Sequence, residues 1–194
     1  MIKVAITGGI GTGKTTILNM FADKGIPVFN SDEIAREIMN TNPLLKNKII
    51  TAFGDKAYDK NKLNKKYLSN VVFNNKTLLK KINSIVHPYV SDEFNSWIKK
   101  QDSKYVIYES AIIFENQGEG FFDKIICVTA PENDVISRVM KRNNFSKDKI
   151  KSIINKQLPN KAKIQKSDYV IENINISKLS DKVLEIHNDI MGSI

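Results

Sequence analysis

The chain has 194 residues, 41% of them hydrophobic, and its 30 Lys and Arg against 21 Asp and Glu give a net charge of +9. This length predicts one domain with a sizeable buried core, while the single Cys and the two His exclude a disulfide scaffold and a Cys-based zinc site. No apolar run reaches the roughly 20 residues of a membrane helix, and the start of the chain lacks a signal-peptide core, so we expect a cytoplasmic protein without a membrane partner.

Five short runs rich in apolar residues predict the strands of one sheet. They are Lys3–Thr7, Pro27–Asn30, Tyr105–Tyr108, Lys124–Thr129 and Tyr169–Glu172. Helical periodicity fills the intervals, with Gly25 expected to end the first helix and Ser177 to cap the start of the last. Because strands that alternate with helices indicate a parallel sheet, we predict an α/β fold of three layers, α/β/α, around a five-stranded parallel sheet.

More than seventy residues separate the second strand from the third, and their periodicity is helical throughout. Two apolar stripes, one before and one after Pro88, predict two helices there. This stretch is too long for a simple crossover, so we predict a single domain with an inserted helical lobe. The expected segments are a core of 1–42, 101–137 and 167–194, an insertion at about 43–100, and a lid at about 138–166.

Positive charge is concentrated in the insertion and in the lid. Residues 46–81 hold ten Lys against two acids, and residues 138–166 hold ten Lys and Arg against one. Two basic segments favour a polyanionic ligand. With only three Arg in the chain, the guanidinium groups that read base edges are scarce, so we expect no nucleic acid partner. A nucleic-acid-binding NTPase, suggested by the basic composition alone, remains the alternative from another functional class.

The residues directly after the first strand match the phosphate-binding pattern G-x-x-x-x-G-K-[ST], from Gly8 to Thr15, with a helix expected to follow. Glycines allow backbone N–H groups to surround phosphate oxygens, and the helix N-terminus adds its positive dipole. Lys14 is expected to reach the β- and γ-phosphates of ATP, and the Thr15 hydroxyl to bind Mg²⁺. The predicted nucleotide-binding residues of the loop are Gly9, Gly11, Thr12, Gly13, Lys14, Thr15 and Thr16.

The chain lacks the sequence signatures of other classes of phosphate-loop protein. A GTPase needs Asn-Lys-x-Asp, and none of the Asn-Lys pairs is followed by Asp at that place. Large ATPases need a longer chain and an apolar strand ending in Asp, whereas the nearest strand here ends in Glu109. A small-molecule kinase with a basic lid remains, which requires an acid at the acceptor hydroxyl and cations at the transferring group.

Four further residues are candidates for that chemistry. Asp32 follows the second strand at the sheet edge where ligands bind, and Arg36 lies one helical turn later. A first-turn acid that merely complements the helix dipole is the alternative for Asp32. Arg138 and Arg142 stand four residues apart before Asn143, so they share a helix face and favour bidentate phosphate contact.

Taken together, these residues resemble the dephospho-CoA kinase family over nearly the whole chain. The motifs that carry the resemblance are Thr7–Thr16, Asp32-x-Ile34-Ala35-Arg36, His87-Pro88, Phe114-Glu115, Arg138 with Arg142, Gln157, and Ser167–Ile171 followed by Asn173. The resemblance implies transfer of the ATP γ-phosphoryl group to the ribose 3′-hydroxyl of dephospho-CoA, with Asp32 as base. It implies catalytic roles for Lys14 and Arg142 and a helical insertion that holds the acceptor.

The resemblance also assigns the remaining site residues. Arg138, Arg142 and Asn173 are expected at the nucleotide, and Asp32, Arg36, His87 and Glu115 at the acceptor. The family's usual Asp and Pro are replaced in Glu109-Ser110-Ala111, where Glu109 keeps a carboxylate that could order Mg²⁺-bound water. A kinase for another small hydroxyl acceptor is the nearest alternative, and the sequence favours a monomer without fixing the oligomeric state.

Three other residues receive non-catalytic expectations. His87 precedes Pro88 at an expected helix junction, so a purely structural role is the alternative to a contact with the acceptor. Cys127 lies inside an apolar strand and is expected to be inert core. His187 on the last helix is expected to be solvated.

Overall fold

The structure, a computed structural model, describes residues 1–73 and 75–193. These residues form two compact units, one made of residues 1–30 and 101–193 and the other of residues 31–73 and 75–100. No helix in the described ranges has the length and apolar character needed to cross a membrane.

The first unit is built on a parallel sheet of five strands, as the apolar runs predict. The strands are β1 (Ile2–Thr7), β2 (Val28–Asn30), β5 (Tyr105–Glu109), β6 (Lys124–Thr129) and β7 (Tyr169–Glu172). Their order in the sheet is β2-β5-β1-β6-β7, so β1 is central and pairs Ile2–Ile6 with Tyr105–Glu109 on one side and Val4–Thr7 with Lys124–Cys127 on the other. A phosphate-binding loop after β1 therefore lies at the middle of the carboxyl edge.

Helices cover the sheet of the first unit. They are α1 (Lys14–Ala22), α6 (Glu132–Asn143), α7 (Lys147–Lys156), α8 (Asn160–Gln165) and α9 (Ile176–Gly192). The main core joins apolar side chains of α1 and α9, such as Phe21 and Val183, to Val4 and Ile6 of β1. Ala5, between those two strand residues, belongs to a second cluster with Ile113, as expected for a strand buried on both faces.

One of the two predicted helix ends of the first unit is confirmed and the other needs correction. Gly25, with a φ of 80°, closes the end of α1, because its N–H donates to the Ala22 carbonyl and the Ile26 N–H donates to the Phe21 carbonyl. The N-cap of α9 is Asn175 rather than Ser177, because the Asn175 side chain accepts the hydrogen bond from the Ser177 N–H. Asn144 ends α6 in the left-handed conformation, as the position of Asn143 and Asn144 predicts.

The described residues of the second unit form four α-helices, a short 3-10 helix at Asp55–Ala57 and a small antiparallel hairpin. The α-helices and strands are α2 (Ser31–Thr41), α3 (Pro43–Phe53), β3 (Tyr58–Asp59), β4 (Lys62–Leu63), α4 (Lys65–Phe73) and α5 (Lys76–Ile98). The expectation that this stretch is all helical is wrong at the hairpin, whose two-residue turn has a positive φ of 44° at Lys60 and 68° at Asn61. The Asn61 side chain accepts a hydrogen bond from Lys46 of α3, which holds the turn.

Two further features of the second unit differ from the sequence pattern. α5 runs through Pro88 as one helix, because Val86, Val90 and Phe94 remain on one buried face on both sides of the proline. α2 packs against α3 and α5, so the compact unit begins at Ser31, before the predicted insertion start of about residue 43.

Candidate active site

The phosphate-binding loop joins β1 to α1, and its shape depends on glycine at several positions, of which Gly11 and Gly13 face other segments of the first unit. Gly13 precedes α1 with a φ of 97°, and a Cβ there would collide with the side-chain amide of Asn173. Gly11 has a φ of 72°, and its Cβ would lie 2.5 Å from Cγ2 of Val139 in α6. The loop is therefore enclosed by α6 and by the segment after β7, and no larger residue fits at these positions.

Lys14 is folded across the loop. Its Nζ donates to the carbonyl oxygens of Gly8 and Gly9, each at 3.2 Å, and lies 3.7 Å from Oε1 of Glu109 at the end of β5. The side chains of Lys14 and Glu109 are 11% and 6% exposed. The structure thus places a buried carboxylate beside the lysine of the loop, at the edge where phosphates would bind.

Asn173, in the segment after β7, also holds the phosphate-binding loop. Its Nδ2 donates to the Thr12 carbonyl at 2.9 Å, and its backbone N–H donates to Thr129 at the end of β6. The residue is buried, so its amide is committed to the protein. The sequence predicts that Asn173 contacts the nucleotide. In the structure its side chain instead holds the phosphate-binding loop.

The two arginines of α6 occupy different surroundings. Nη2 of Arg138 donates to the Asn173 carbonyl at 3.2 Å, and Nη1 lies 3.9 Å from the Cβ position of Gly13. That Nη1 is buried and has no hydrogen-bond partner among the described residues. Arg142 is exposed, and its Nε donates to Asn143 at 2.8 Å. Of the pair, the structure brings Arg138 to the loop.

A third set of contacts reaches the loop from the segment between α7 and α8. The Ile10 N–H donates to Oε1 of Gln157 at 2.9 Å, and the Leu158 N–H donates to Oε1 of Glu115 at 2.8 Å. The Nζ of Lys163 lies 2.8 Å from the same Glu115 oxygen and donates to the Ala111 carbonyl at 3.0 Å. Glu115, predicted at the acceptor, is therefore engaged within the first unit.

Sequence reasoning missed Lys163, whose side chain is fully buried. It is one of ten basic residues between 138 and 166, and composition does not distinguish a buried lysine from its solvated neighbours. Gln157 is part of the family resemblance, but the sequence alone assigns it no role. The one signal in the sequence is Leu158 itself, an apolar residue in a polar stretch, and in the structure it packs against the core cluster of Ala5 and Ile113.

A pocket of about 200 Å³ lies against the outer side of the loop. Polar and apolar groups of the loop, of the start of α6 and of the segment between α7 and α8 line it. These residues are Gly9, Ile10, Thr12, Ala130, Glu132, Val135, Ile154, Gln157, Leu158, Pro159 and Asn160.

The other predicted residues are located as follows. Thr15 is exposed and Thr16 half-buried in the first turn of α1. Asp32 and Arg36 belong to the second unit, where both are exposed on α2, with Asp32 in its first turn. His87 is exposed within α5, so its expected place at a helix junction is wrong.

The two residues expected to be inert have different outcomes. Cys127 is buried in β6, which raises the pKa of its thiol, as expected for core. His187 is half-buried, and its Nδ1 lies 2.8 Å from the hydroxyl of the buried Tyr105, so the expectation of a solvated imidazole is wrong.

Comparison with known proteins gives a consistent family. The family model described as dephospho-CoA kinase matches residues 2–178. A protein named dephospho-CoA kinase from Fusobacterium nucleatum is 35% identical over 182 residues, covering 93% of this chain and 94% of its own. The solved dephospho-CoA kinase from Campylobacter jejuni is 26% identical with a TM-score of 0.71, covering 99% and 98% of the two chains. A shikimate kinase structure from Acinetobacter baumannii, 14% identical with a TM-score of 0.59 over 100% and 94%, shares the fold.

Proposed function

The chain belongs to the dephospho-CoA kinase family, as its motifs predict, and we propose that it transfers the γ-phosphoryl group of ATP to the ribose 3′-hydroxyl of dephospho-CoA, giving coenzyme A and ADP. The family phosphorylates dephospho-CoA with ATP, and the fold is that of a phosphate-loop kinase. The observation that carries the proposal is the extent of the match, since it includes the helical unit that a nucleotide site alone does not require.

Nucleotide binding is assigned to the loop from Gly9 to Thr16. Its backbone N–H groups and the N-terminus of α1 surround the phosphates, with Gly11, Thr12 and Gly13 at the centre of the loop. Lys14 leaves its carbonyl partners to contact the β- and γ-phosphates. The unpartnered Nη1 of Arg138 beside Gly13 supports a nucleotide contact for that arginine, because a buried guanidinium N–H without a partner is costly.

A magnesium ion fits the same edge of the sheet. Mg²⁺ needs only one or two protein oxygens beside phosphate and water, and the exposed Thr15 hydroxyl with the buried Glu109 carboxylate supplies that kind of oxygen. Thr15 would bind the ion, and Glu109 would order water around it. When bound, the ion neutralises charge on the β- and γ-phosphates. The Glu109 carboxylate also lies 3.7 Å from the Lys14 ammonium group and orients it at the loop.

The acceptor is assigned to the second unit. This unit carries thirteen basic against seven acidic residues, which favours a ligand with a pyrophosphate. Asp32 accepts the proton of the attacking hydroxyl or aligns it, while Arg36 and His87 contact the phosphates of the acceptor. The exposure of all three side chains supports roles toward a ligand, because the fold does not depend on burying them. Arg142 of the basic lid stabilises charge on the transferring group.

One assay across several acceptors tests the function. ADP release is coupled to a spectroscopic readout, with dephospho-CoA, a nucleoside, shikimate and gluconate as acceptors and purified protein at constant Mg²⁺. We expect turnover with dephospho-CoA only, with the product phosphorylated at the 3′-hydroxyl. Equal turnover with a nucleoside would favour the alternative kinase, and ATP consumption that requires duplex nucleic acid would favour the other class. Size-exclusion chromatography tests the expected monomer, and cell fractionation tests the expected cytoplasmic location.

A further inference from the structure

The segment between α7 and α8 is held by two hydrogen bonds, of which one connects it to the phosphate-binding loop and the other to the loop after β5. Gln157 accepts from the Ile10 N–H at 2.9 Å, and the next residue, Leu158, donates its N–H to Glu115 at 2.8 Å. Glu115 is held in turn by the buried Nζ of Lys163 at 2.8 Å. Two adjacent residues of one short segment therefore connect the loop to a buried ion pair.

The ion pair also fixes the loop that follows β5. Lys163 donates to the Ala111 carbonyl at 3.0 Å, and Ser110 N–H donates to the Ile6 carbonyl at the end of β1. The two partners of the pair come from α8 and from that loop, which are 48 residues apart in sequence. A single ammonium group thus sets the spacing between two segments on the same side of the phosphate-binding loop.

Stability alone is a poor explanation for this pair. A fully buried ammonium group loses its hydration, and apolar residues of the same volume often stabilise a core as well as a buried ion pair does. What apolar residues cannot supply is a directional acceptor for the Leu158 N–H. The pair is thus better explained by the geometry that it imposes on Leu158 and, through the adjacent residue, on Gln157.

We propose that Lys163 and Glu115 are positioning residues: they hold Gln157 against the Ile10 N–H and so fix the phosphate-binding loop for ATP. Gln157, Leu158, Glu115 and Lys163 together are called the clamp. Phosphoryl transfer depends on positioning and on preset electrostatics, so a loop that must be ordered at each binding event weakens both ATP affinity and turnover. The turnover part of this inference rests on the proposed acceptor, whereas the affinity part rests only on the proposed binding of ATP by the loop.

Three variants test the clamp: Gln157→Leu, Lys163→Met and the double variant. ATP affinity is measured by calorimetry without acceptor, and kcat with saturating ATP and dephospho-CoA. We expect each single change to weaken ATP binding by about 10-fold, a typical size for coupled polar contacts. Both changes interrupt the same set of contacts, so the double variant should lose no more ATP affinity than the single variant with the larger loss. If the two residues acted independently, the two losses would multiply.

A matched control is Lys166→Met, which removes an exposed ion pair with Glu119 at the end of the same helix. We expect it to leave ATP affinity within about twofold, because exposed pairs contribute little. If Lys163→Met alone does not fold, the pair is replaced by Lys163→Met with Glu115→Leu. Recovery of the melting temperature without recovery of ATP affinity supports a positioning role.

Three results would overturn the clamp: normal ATP affinity in Gln157→Leu, losses that multiply in the double variant, or ATP affinity that recovers together with the melting temperature. Failure of the proposed function has a different signature. A wild-type chain that binds ATP but does not phosphorylate dephospho-CoA contradicts that function, while the affinities of the variants still decide the clamp.

Discussion

Several side chains that we propose at the nucleotide differ in environment from those that we propose at the acceptor. Lys14, Glu109 and Asn173 of the first unit are buried and bonded to the protein, whereas Asp32 and Arg36 of the second unit are exposed. Buried polar groups lose stability when one partner is removed, while exposed charges contribute little to folding. Mutations at Lys14, Glu109 or Asn173 should therefore lower both stability and activity, and mutations at Asp32 or Arg36 should lower activity alone.

Lys14→Ala is the largest expected perturbation. Without the ammonium group, charge on the transferring phosphoryl group is unbalanced, and turnover should fall by at least about 10³-fold, as for loss of a dominant electrostatic contact. The buried Glu109 also loses a cation at 3.7 Å, so the free energy of unfolding should fall by about 1–3 kcal/mol. Chemical denaturation and the coupled ADP assay measure the two effects.

The control for Lys14 is the same variant combined with Glu109→Gln. Removing the second charge should restore part of the lost stability, because the buried side chain at position 109 is then uncharged, but it should restore no turnover. Near-normal kcat in a stable Lys14→Ala protein would remove Lys14 from the mechanism.

Asp32→Asn is the next largest and tests the acceptor side. The change keeps size and hydrogen bonding but removes the basic carboxylate, so kcat should fall by about 10²–10⁴-fold, the usual scale of general base catalysis. ATP affinity should be unchanged, and stability should change by less than about 1 kcal/mol, because Asp32 is an exposed first-turn acid.

Glu33→Gln is the matched control for Asp32, since it removes the neighbouring exposed acid of the same first turn. It should reproduce the small dipole effect on stability and leave kcat within about twofold. If Asp32→Asn behaves like this control, Asp32 only complements the helix, and the search for the base moves to Glu109.

Asn173→Ala should have an intermediate effect, and it tests whether Asn173 supports ATP binding by holding the loop. It leaves the Thr12 carbonyl without its buried donor and opens space beside Gly13, so stability should fall by about 1–3 kcal/mol. Because the loop loses a fixed point, KM for ATP should rise by about 10-fold with a smaller change in kcat. Initial rates at varied ATP measure this, and an unchanged KM with the same loss of stability would leave Asn173 a purely structural residue.

The inner strands β5, β1 and β6 were readable from the sequence because they are buried on both faces and leave continuous apolar runs between turns. The phosphate-binding loop was readable because its chemistry permits few residue types. The β3–β4 hairpin was not, since its strands are two residues long, partly polar, and turn at Lys60 and Asn61 rather than at a glycine. The contacts of Asn173 and Lys163 depend on side-chain direction across more than 40 residues of sequence, which periodicity does not encode.

Arg142→Lys should have the smallest effect, and it distinguishes the role of Arg142 from that of Arg138, the other arginine of α6. Arg138 is half-buried and bonded to Asn173, whereas Arg142 is exposed and bonded to its neighbour Asn143. Lys keeps the charge of Arg142 but loses the planar fork, so only an interaction with two oxygens at once is lost. If Arg142 contacts the transferring group, kcat should fall by about 10-fold, part of the 10²–10³ that removal of a whole donor costs. The KM for dephospho-CoA should change less than kcat, because the contact strengthens in the transition state.

The stability of the Arg142→Lys protein should not change. Arg138→Lys, by contrast, disturbs the hydrogen bond to Asn173 and should lower the melting temperature as well. Rates and melting curves for the two variants, measured side by side, decide the assignment: an Arg142→Lys enzyme with full kcat is an enzyme whose lid arginine serves only as surface charge.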